Sequence, residues 1–203
     1  MGSRKLAILL SGRGSNFVAI YEAIGRGDLN AEICCVISNV PDAAGLAKAR
    51  EFGLNAVSLP SRGIERAEYD RRLLTTLHQW TPTLVCLAGF MRILSPEFLR
   101  EYTGRVLNIH PALLPSFPGL HAQRQALQYG VKISGCTVHM VDEGVDTGPI
   151  LLQRAVEILD GDTEETLSAR ILEQEHDLYW RAISKVLDRM DSELALAGSA
   201  GAR

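Results

Sequence analysis

Two polar residues close the fifth of several apolar runs in this sequence. Asn108 and His110 follow the buried-looking segment 105–109, and because side chains alternate along an extended chain, both project to the same side. An amide can stabilise a developing oxyanion, and an imidazole can move a proton. Taken singly, the asparagine could form hydrogen bonds with backbone groups of the loop, and the histidine could have a purely structural role. The pair therefore indicates catalysis only if further groups converge on it.

A second segment, Asp142 to Pro149, holds three carboxylates and two glycines within eight residues. A calcium loop is excluded, because residue 144 is Gly where that pattern needs Asp or Asn, and no paired helices flank the segment. The segment could be a solvated acidic hairpin. A carboxylate from it beside His110 would instead raise the pKa of the imidazole and hold its orientation.

The glycine turn from Ser11 to Asn16 joins the first predicted strand to the first predicted helix. Free backbone N–H groups and the positive end of the helix dipole favour an anion there. NAD is disfavoured, because Phe17 replaces the third small residue of the dinucleotide fingerprint and no acidic residue ends the second strand; no Walker lysine follows for ATP. A single phosphate remains, with Ser15 and Asn16 as added donors. The alternative is a tight turn in which those two residues cap the helix.

The elements that must position these residues follow a repeating pattern. Apolar runs at 5–10, 31–38, 55–59 and 83–89 each precede a segment of helical periodicity, at 16–24, 45–52, 65–80 and 96–102. Four such units predict a parallel sheet covered by helices on both faces. A fifth strand, a loop with three prolines and a short helix at 122–129 come next. Strands at 134–141 and 150–158 then predict an antiparallel addition to the sheet.

The last element is a helix that opens with Asp162 and Glu165 in a capping-box pattern, and residues 191–203 predict a frayed tail. The 203 residues are 46% hydrophobic with a net charge of −3, which fits one globular domain over 1–203 and disfavours nucleic-acid or anionic-membrane partners. The apolar stretch at 6–10 is too short for a signal peptide or a membrane span, so a cytoplasmic location is expected. The four cysteines lack CxxC spacing, and neither disulfides nor a zinc site is expected.

Four segments together resemble the phosphoribosylglycinamide formyltransferases, folate-dependent enzymes of purine synthesis. These segments are SGRGSN, AGFMRILSP, LNIHPALLPSFPG and VDEGVDTGPI, and the resemblance runs from about Leu6 to Val186. It implies a Rossmann-like, three-layer α/β formyltransferase fold, with a mostly parallel sheet and an antiparallel C-terminal addition. Within that single domain, residues of about 5–100 form the nucleotide-phosphate half, and residues of about 101–190 form the catalytic and folate half.

The resemblance also implies residue roles. His110 becomes the catalytic acid/base, Asn108 its oxyanion-stabilising partner and Asp146 the carboxylate that tunes His110. The residues matched to the ribonucleotide and its phosphate are Gly14, Ser15, Asn16 and Glu175. Glu175 comes from the segment 172–175 of the last helix, where it and Glu173 could otherwise be a solvated face. The residues matched to folate are Arg66, Met91, Arg92, Ile93, Leu94, Asn108, Asp142, Glu143, Gly144, Val145 and Asp146.

The activity so implied transfers the formyl group of 10-formyltetrahydrofolate to the amine of N1-(5-phospho-D-ribosyl)glycinamide, on the route to IMP. Folate would be a consumed co-substrate, no metal would be needed, and the partners would be these small molecules, with the chain a monomer or homodimer. Two alternatives stay open. Water could replace the amine, which gives a 10-formyltetrahydrofolate hydrolase, or the chain could be a non-catalytic phosphosugar- or folate-binding module on the same fold.

Overall fold

The computed structural model describes residues 4–200, with side chains described up to residue 197. It contains seven strands and six helices within that range. The strands are β1 (Lys5–Leu10), β2 (Glu32–Ser38), β3 (Ala56–Ser58), β4 (Leu84–Leu87), β5 (Val106–His110), β6 (Ile133–Met140) and β7 (Ile150–Glu157). The helices are α1 (Ser15–Gly25), α2 (Ala44–Glu51), α3 (Arg66–Leu77), α4 (Pro96–Glu101), α5 (Ala122–Tyr129) and α6 (Glu164–Ala200).

All seven strands form one sheet in the order β3-β2-β1-β4-β5-β6-β7. The pairs among β1 to β5 are parallel, whereas β6 is antiparallel to both β5 and β7. The predicted α/β class, with a mostly parallel sheet and an antiparallel addition, is confirmed. The chain order reverses between β1 and β4, and open sheets of this kind bind ligands at the carboxyl ends of the strands beside such a reversal.

The central strand β1 shows why its sequence is apolar throughout. Leu6, Ile8 and Leu10 belong to one buried cluster, which they share with residues of α1, α2 and α6. Ala7 and Leu9 belong to a second buried cluster on the other face, shared with residues of α3 and α4. Since both faces of a parallel sheet are covered, both sets of alternating side chains are apolar.

Helix α6 departs from the sequence prediction at both ends. Its first residue is Glu164, and the reciprocal bonds of the cap join Thr163 and Thr166 rather than Asp162 and Glu165. The helix continues to Ala200, through the residues from 191 for which the composition predicts a frayed tail, while residues 201–203 lie outside the described residues. Arg4 supplies one physical reason, because its guanidinium pairs with Asp188 and Asp191 at 2.8 and 2.7 Å and fastens this part of the helix to the start of β1.

Two further properties of the described region bear on function. None of its helices is long and apolar enough to cross a membrane. Among the same residues, no three His, Cys, Asp or Glu side chains are grouped so that they could hold a metal ion.

Candidate active site

The carboxyl ends of β1, β4 and β5 meet at one edge of the sheet, and the segments that follow them are tied together. Ser11, directly after β1, donates its backbone N–H to the Gly89 carbonyl at 3.0 Å. Its hydroxyl accepts a hydrogen bond of 2.8 Å from the backbone N–H of Met91. The glycine turn and the segment after β4 therefore form one connected wall beside the end of β5.

The structure brings Asn108, His110 and Asp146 together. His110 Nδ1 lies 3.2 Å from Asp146 Oδ2, and Asn108 Nδ2 lies 3.5 Å from Asp146 Oδ1. The other ring nitrogen of His110 lies 2.8 Å from the Phe117 carbonyl oxygen. Both ring nitrogens therefore face acceptors, an arrangement in which the doubly protonated imidazolium can donate two hydrogen bonds.

The pKa of His110 differs from the expectation raised by the sequence. Burial lowers this pKa, since only 4% of the residue is exposed, and the charge of Asp146 opposes burial without overcoming it. A carboxylate beside the imidazole was expected to raise the pKa, but the sequence did not reveal how deeply the ring is buried. Burial consequently favours the neutral imidazole, which can accept a proton. The Asp146 carboxylate remains beside the ring and can stabilise the imidazolium once it forms.

Asp146 joins the acidic turn to the loop after β5. Burial alone would raise its pKa, but contacts with His139, the Gly119 N–H and His110 outweigh burial and keep the pKa below the ordinary value. The Gly119 N–H donates to Asp146 Oδ2 at 2.8 Å. Asp146 also has a positive φ of 56°, a conformation that costs a non-glycine residue free energy and often occurs at functional sites.

His139 is a further member of this cluster, and no sequence motif singled it out. Its Nε2 lies 3.2 Å from Asn108 Nδ2 and 3.5 Å from Asp146 Oδ1, while its Nδ1 lies 2.9 Å from the Met140 carbonyl. Nε2 therefore lies between the Asn108 amide and the Asp146 carboxylate and helps to hold both in place. The available signal was the strand pairing, because Asn108 and His139 are direct partners across β5 and β6.

The proline-rich loop after β5 is held by the antiparallel strands. Thr137 on β6 donates its hydroxyl to the Ala112 carbonyl at 2.7 Å and accepts from the Leu114 N–H at 3.0 Å. Gln153 on β7 donates to the Leu114 carbonyl at 2.9 Å. These bonds position the part of the loop that presents the Phe117 carbonyl to His110.

One cavity of about 590 Å³, called here the Asn108 cavity, contains the three converging residues. The residues predicted for folate that line it are Met91, Arg92, Ile93, Leu94, Asn108, Asp142, Gly144, Val145 and Asp146. Arg66 and Glu143 are not among its lining residues. Arg66 is exposed at the first position of α3, and Glu143 is exposed in the acidic turn.

A second cavity of about 710 Å³, called here the Glu175 cavity, lies beside the glycine turn. Asn16 and Glu175 line it, and so does Arg13, which the sequence analysis did not assign. Gly14 and Ser15 are not among its lining residues. Helix α1 begins at Ser15 with Gly14 as its N-cap, so the alternative in which Ser15 and Asn16 cap the helix is wrong.

Glu175 does not belong to a solvated helix face. It is 6% exposed, and its Oε2 accepts a hydrogen bond of 2.7 Å from Asn16 Nδ2. Burial raises its pKa to about 7, although the Asn16 bond acts in the opposite direction. Glu173, two residues earlier on α6, is exposed, so the solvated reading fits that residue alone.

Comparison with known proteins bears on what such a site does. Phosphoribosylglycinamide formyltransferase of Escherichia coli strain K12 is 44% identical over 184 residues, which cover 90% of this chain and 87% of that protein. The trifunctional purine biosynthetic protein adenosine-3 of Drosophila melanogaster is 45% identical over 188 residues, but this chain spans 14% of its length. The crystal structure of glycinamide ribonucleotide transformylase 1 from Symbiobacterium toebii superposes with a TM-score of 0.87 at 46% identity, covering 90% of this chain and 86% of that one.

The family profile described as formyl transferase matches residues 4–183, which include every element from β1 to most of α6. The match therefore contains both cavities and the three converging residues between the strands. The chain belongs to the formyl transferase family.

Proposed function

We propose that this chain transfers the formyl group of 10-formyltetrahydrofolate to the amine of glycinamide ribonucleotide. The observation that carries the proposal is the placement of Asn108, His110 and Asp146 in a cavity that shares wall residues with a second cavity. The shared wall includes Gly89 and Ile109. Direct transfer between two substrates needs two adjoining pockets with the proton-moving group between them.

The Asn108 cavity fits a formylfolate. Its volume of about 590 Å³ lies within the range of roughly 300–1,000 Å³ that small-molecule sites occupy. Apolar side chains such as Ile93 and Val145 line it, while Arg92, Asn108 and Asp146 supply polar groups. When bound, 10-formyltetrahydrofolate supplies the formyl group and is consumed as a co-substrate.

The Glu175 cavity suits a phosphorylated sugar. The positive end of α1 and the Arg13 guanidinium lie on the side of the glycine turn, where a phosphate would be stabilised. Glu175 and Asn16 lie at the same cavity and can bond the hydroxyl groups of a ribose. In this proposal Gly14 provides the turn that directs the backbone N–H groups, and Ser15 adds a hydroxyl donor.

The chemistry follows from the groups around His110. Asn108 Nδ2 carries two N–H groups, and one of them faces His139. The other makes only a long hydrogen bond of 3.5 Å to Asp146 Oδ1, which a bond to negative charge on the formyl oxygen would replace. His110 accepts the proton that the attacking amine loses, and Asp146 stabilises the imidazolium so formed. The bond between the formyl carbon and the folate nitrogen then breaks, and the proton passes to that nitrogen, which leaves as tetrahydrofolate. The hydrogen bond from Asn108 thus polarises the carbonyl during transfer.

Product analysis tests the proposal against both alternatives. The purified protein is incubated with 10-formyltetrahydrofolate in the presence and absence of glycinamide ribonucleotide, and formylated ribonucleotide and formate are measured separately. We expect formylated ribonucleotide in the complete mixture and little formate in either. Formate release that does not depend on the ribonucleotide would establish a hydrolase, whereas binding of both ligands without either product would establish a binding module.

A further inference from the structure

Arg92 lies over the ring of a buried tyrosine at the wall of the Asn108 cavity. Its Cζ is 4.5 Å from the ring centroid of Tyr69, which is fully buried on α3. A guanidinium at this distance from an aromatic ring is attracted to the π electrons and is held parallel to the ring or near it. Because a cation–π contact consumes no hydrogen bond, the N–H groups of Arg92 stay available to donate.

Three neighbouring residues here each carry a buried polar atom without a hydrogen-bond partner. The atoms are Arg92 Nε, Tyr69 Oη and Asp70 Oδ1, and they make up half of the six such atoms found among the described residues. Leaving polar atoms buried and unpaired costs free energy, so a cluster of them calls for an explanation. Within the described part of the chain, Arg92 also has no hydrogen bond or ion pair of its own.

Asp70 connects the same place to the backbone of the cavity wall. Its Oδ2 accepts a hydrogen bond from the Ser95 N–H, and Ser95 caps α4 directly after the segment that contains Arg92. Burial raises the pKa of Asp70, since the residue is 1% exposed, and the nearby charge of Arg92 acts against that rise. One buried residue therefore anchors the end of the segment, and its neighbour Tyr69 supports the guanidinium.

We propose that Tyr69 and Asp70 are positioning residues that hold Arg92 ready to bind a carboxylate of the formyl donor. The inference rests on the proposed function, because the glutamyl tail of a folate supplies that carboxylate. A planar guanidinium matches a carboxylate through paired N–H groups, and holding it in advance removes part of the entropic cost of binding. Arg92 is suited to this role because no acidic side chain of the described residues forms an ion pair with it.

Tyr69→Leu tests the positioning role, with Tyr69→Phe as its matched control. The leucine variant removes the ring under Arg92, so the KM for the formyl donor should rise by about 3- to 30-fold, the range that a cation–π contact supports. The kcat and the KM for ribonucleotide should change little. The phenylalanine variant keeps the ring and removes only the unpartnered hydroxyl, so its KM for the donor should stay close to the wild-type value.

A double-mutant cycle with Arg92→Gln separates positioning from a general structural effect. If Tyr69 acts through Arg92, Tyr69→Leu should cause no further rise in KM once Arg92 has been replaced. The loss should also disappear with a donor analogue whose glutamyl carboxylates are amidated. An equal loss with and without Arg92→Gln, or with both donors, would overturn the proposal.

Asp70→Ala gives a second measurement that does not depend on the folding of Tyr69→Leu. Asp70→Asn keeps an oxygen acceptor for the Ser95 N–H, so its KM for the formyl donor should stay within about threefold of the wild-type value. Asp70→Ala should raise that KM by more than threefold, and this rise should disappear when Arg92→Gln is also present.

Direct titration of the wild-type chain with folate distinguishes failure of the proposed function from failure of this inference. Absence of folate binding would refute the proposed function, and binding with no Arg92-dependent effect of either variant would refute this inference alone.

Discussion

Asn16 Nδ2 donates a hydrogen bond of 2.7 Å to Glu175 Oε2, which links the first turn of α1 to the first third of α6. No cationic side chain of the described residues forms an ion pair with that carboxylate. Two other titratable groups interact electrostatically with Glu175, namely Cys136 on β6 and Tyr179 on α6. Burial raises the pKa of both groups, and that of Cys136 reaches about 12. Glu175 is therefore the group in this cluster that titrates near neutral pH.

The stability of the protein should depend on pH through Glu175. Its pKa is about 7 in the folded protein and near 4.5 in an unfolded chain, so the folded state binds the extra proton between these values. The free energy of unfolding should then fall as the pH rises from about 4.5 to about 7 and level off above it, by roughly 3 kcal/mol in total from this residue. Glu175→Gln cannot ionise and should lack this fall.

Urea denaturation of the wild type and of Glu175→Gln at several pH values between 5 and 8 measures the effect. The difference between the two profiles removes contributions from other groups, and the variant should gain stability relative to wild type as the pH increases. Parallel profiles for the two proteins would show that Glu175 is ionised throughout this range.

Arg13 should contribute charge to the ribonucleotide site. It is exposed in the glycine turn and lines the Glu175 cavity. An exposed charge contributes roughly 1 kcal/mol to binding, so Arg13→Ala should raise the KM for ribonucleotide by about threefold to tenfold. The KM for the formyl donor should not change. Arg26→Ala is the matched control, because Arg26 pairs with Asp28 at 2.8 Å and lines neither cavity.

Salt provides an independent check on Arg13. Screening weakens the attraction between an exposed guanidinium and a phosphate, so the advantage of the wild type over Arg13→Ala should shrink at high ionic strength. Initial rates at low and high salt would show this. An advantage that persists unchanged in high salt would mean that Arg13 supports the shape of the turn rather than the charge of the site.

Gly14 should tolerate no side chain, for two reasons that can be separated. Its φ is 74°, and an added Cβ would lie 3.0 Å from the Gly45 Cα, which is backbone that cannot move aside easily. Gly27 has a similar φ of 81° but no atom within 4 Å of an added Cβ. Gly27→Ala should therefore cost about 1 kcal/mol of stability from backbone strain alone, and Gly14→Ala should cost about 1 to 3 kcal/mol more from the added crowding. If urea denaturation showed equal losses in the free energy of unfolding for the two variants, α1 and α2 would be able to move apart at Gly14 without a free-energy cost.

The sequence predicted the repeating strands and helices well because central strands such as β1 and β4 are buried on both faces and the helices on one, and those burial patterns are local. It also singled out Asn108 and His110, since their alternation along one strand is local too. His139 could not be found in this way, because its role depends on a pairing between β5 and β6. The burial of Glu175 against Asn16 depends on contacts between residues far apart in the chain.

Asp146→Asn should reduce turnover by about 100-fold or more while the KM values for both substrates change much less. The carboxylate lies 3.2 Å from His110 Nδ1 and stabilises the imidazolium, a species that matters chiefly in the transition state. An asparagine keeps the size of the side chain and an oxygen acceptor for the Gly119 N–H, so the loop should stay in place. Asp160→Asn, which removes a fully exposed carboxylate, is the control and should leave turnover unchanged.

The two members of the pair should also act as one unit. Once His110→Ala has removed the imidazole, Asp146 has no charge left to stabilise, so adding Asp146→Asn should cost far less than it does in the wild type. Asp146 additionally contacts Asn108 and His139, at 3.5 Å in each case, which predicts a small residual loss in the double variant rather than none. Turnover numbers for the two single variants and the double variant decide the matter. Losses that multiply independently would mean that Asp146 serves to hold Asn108 and the acidic turn, and that the imidazole works without its carboxylate.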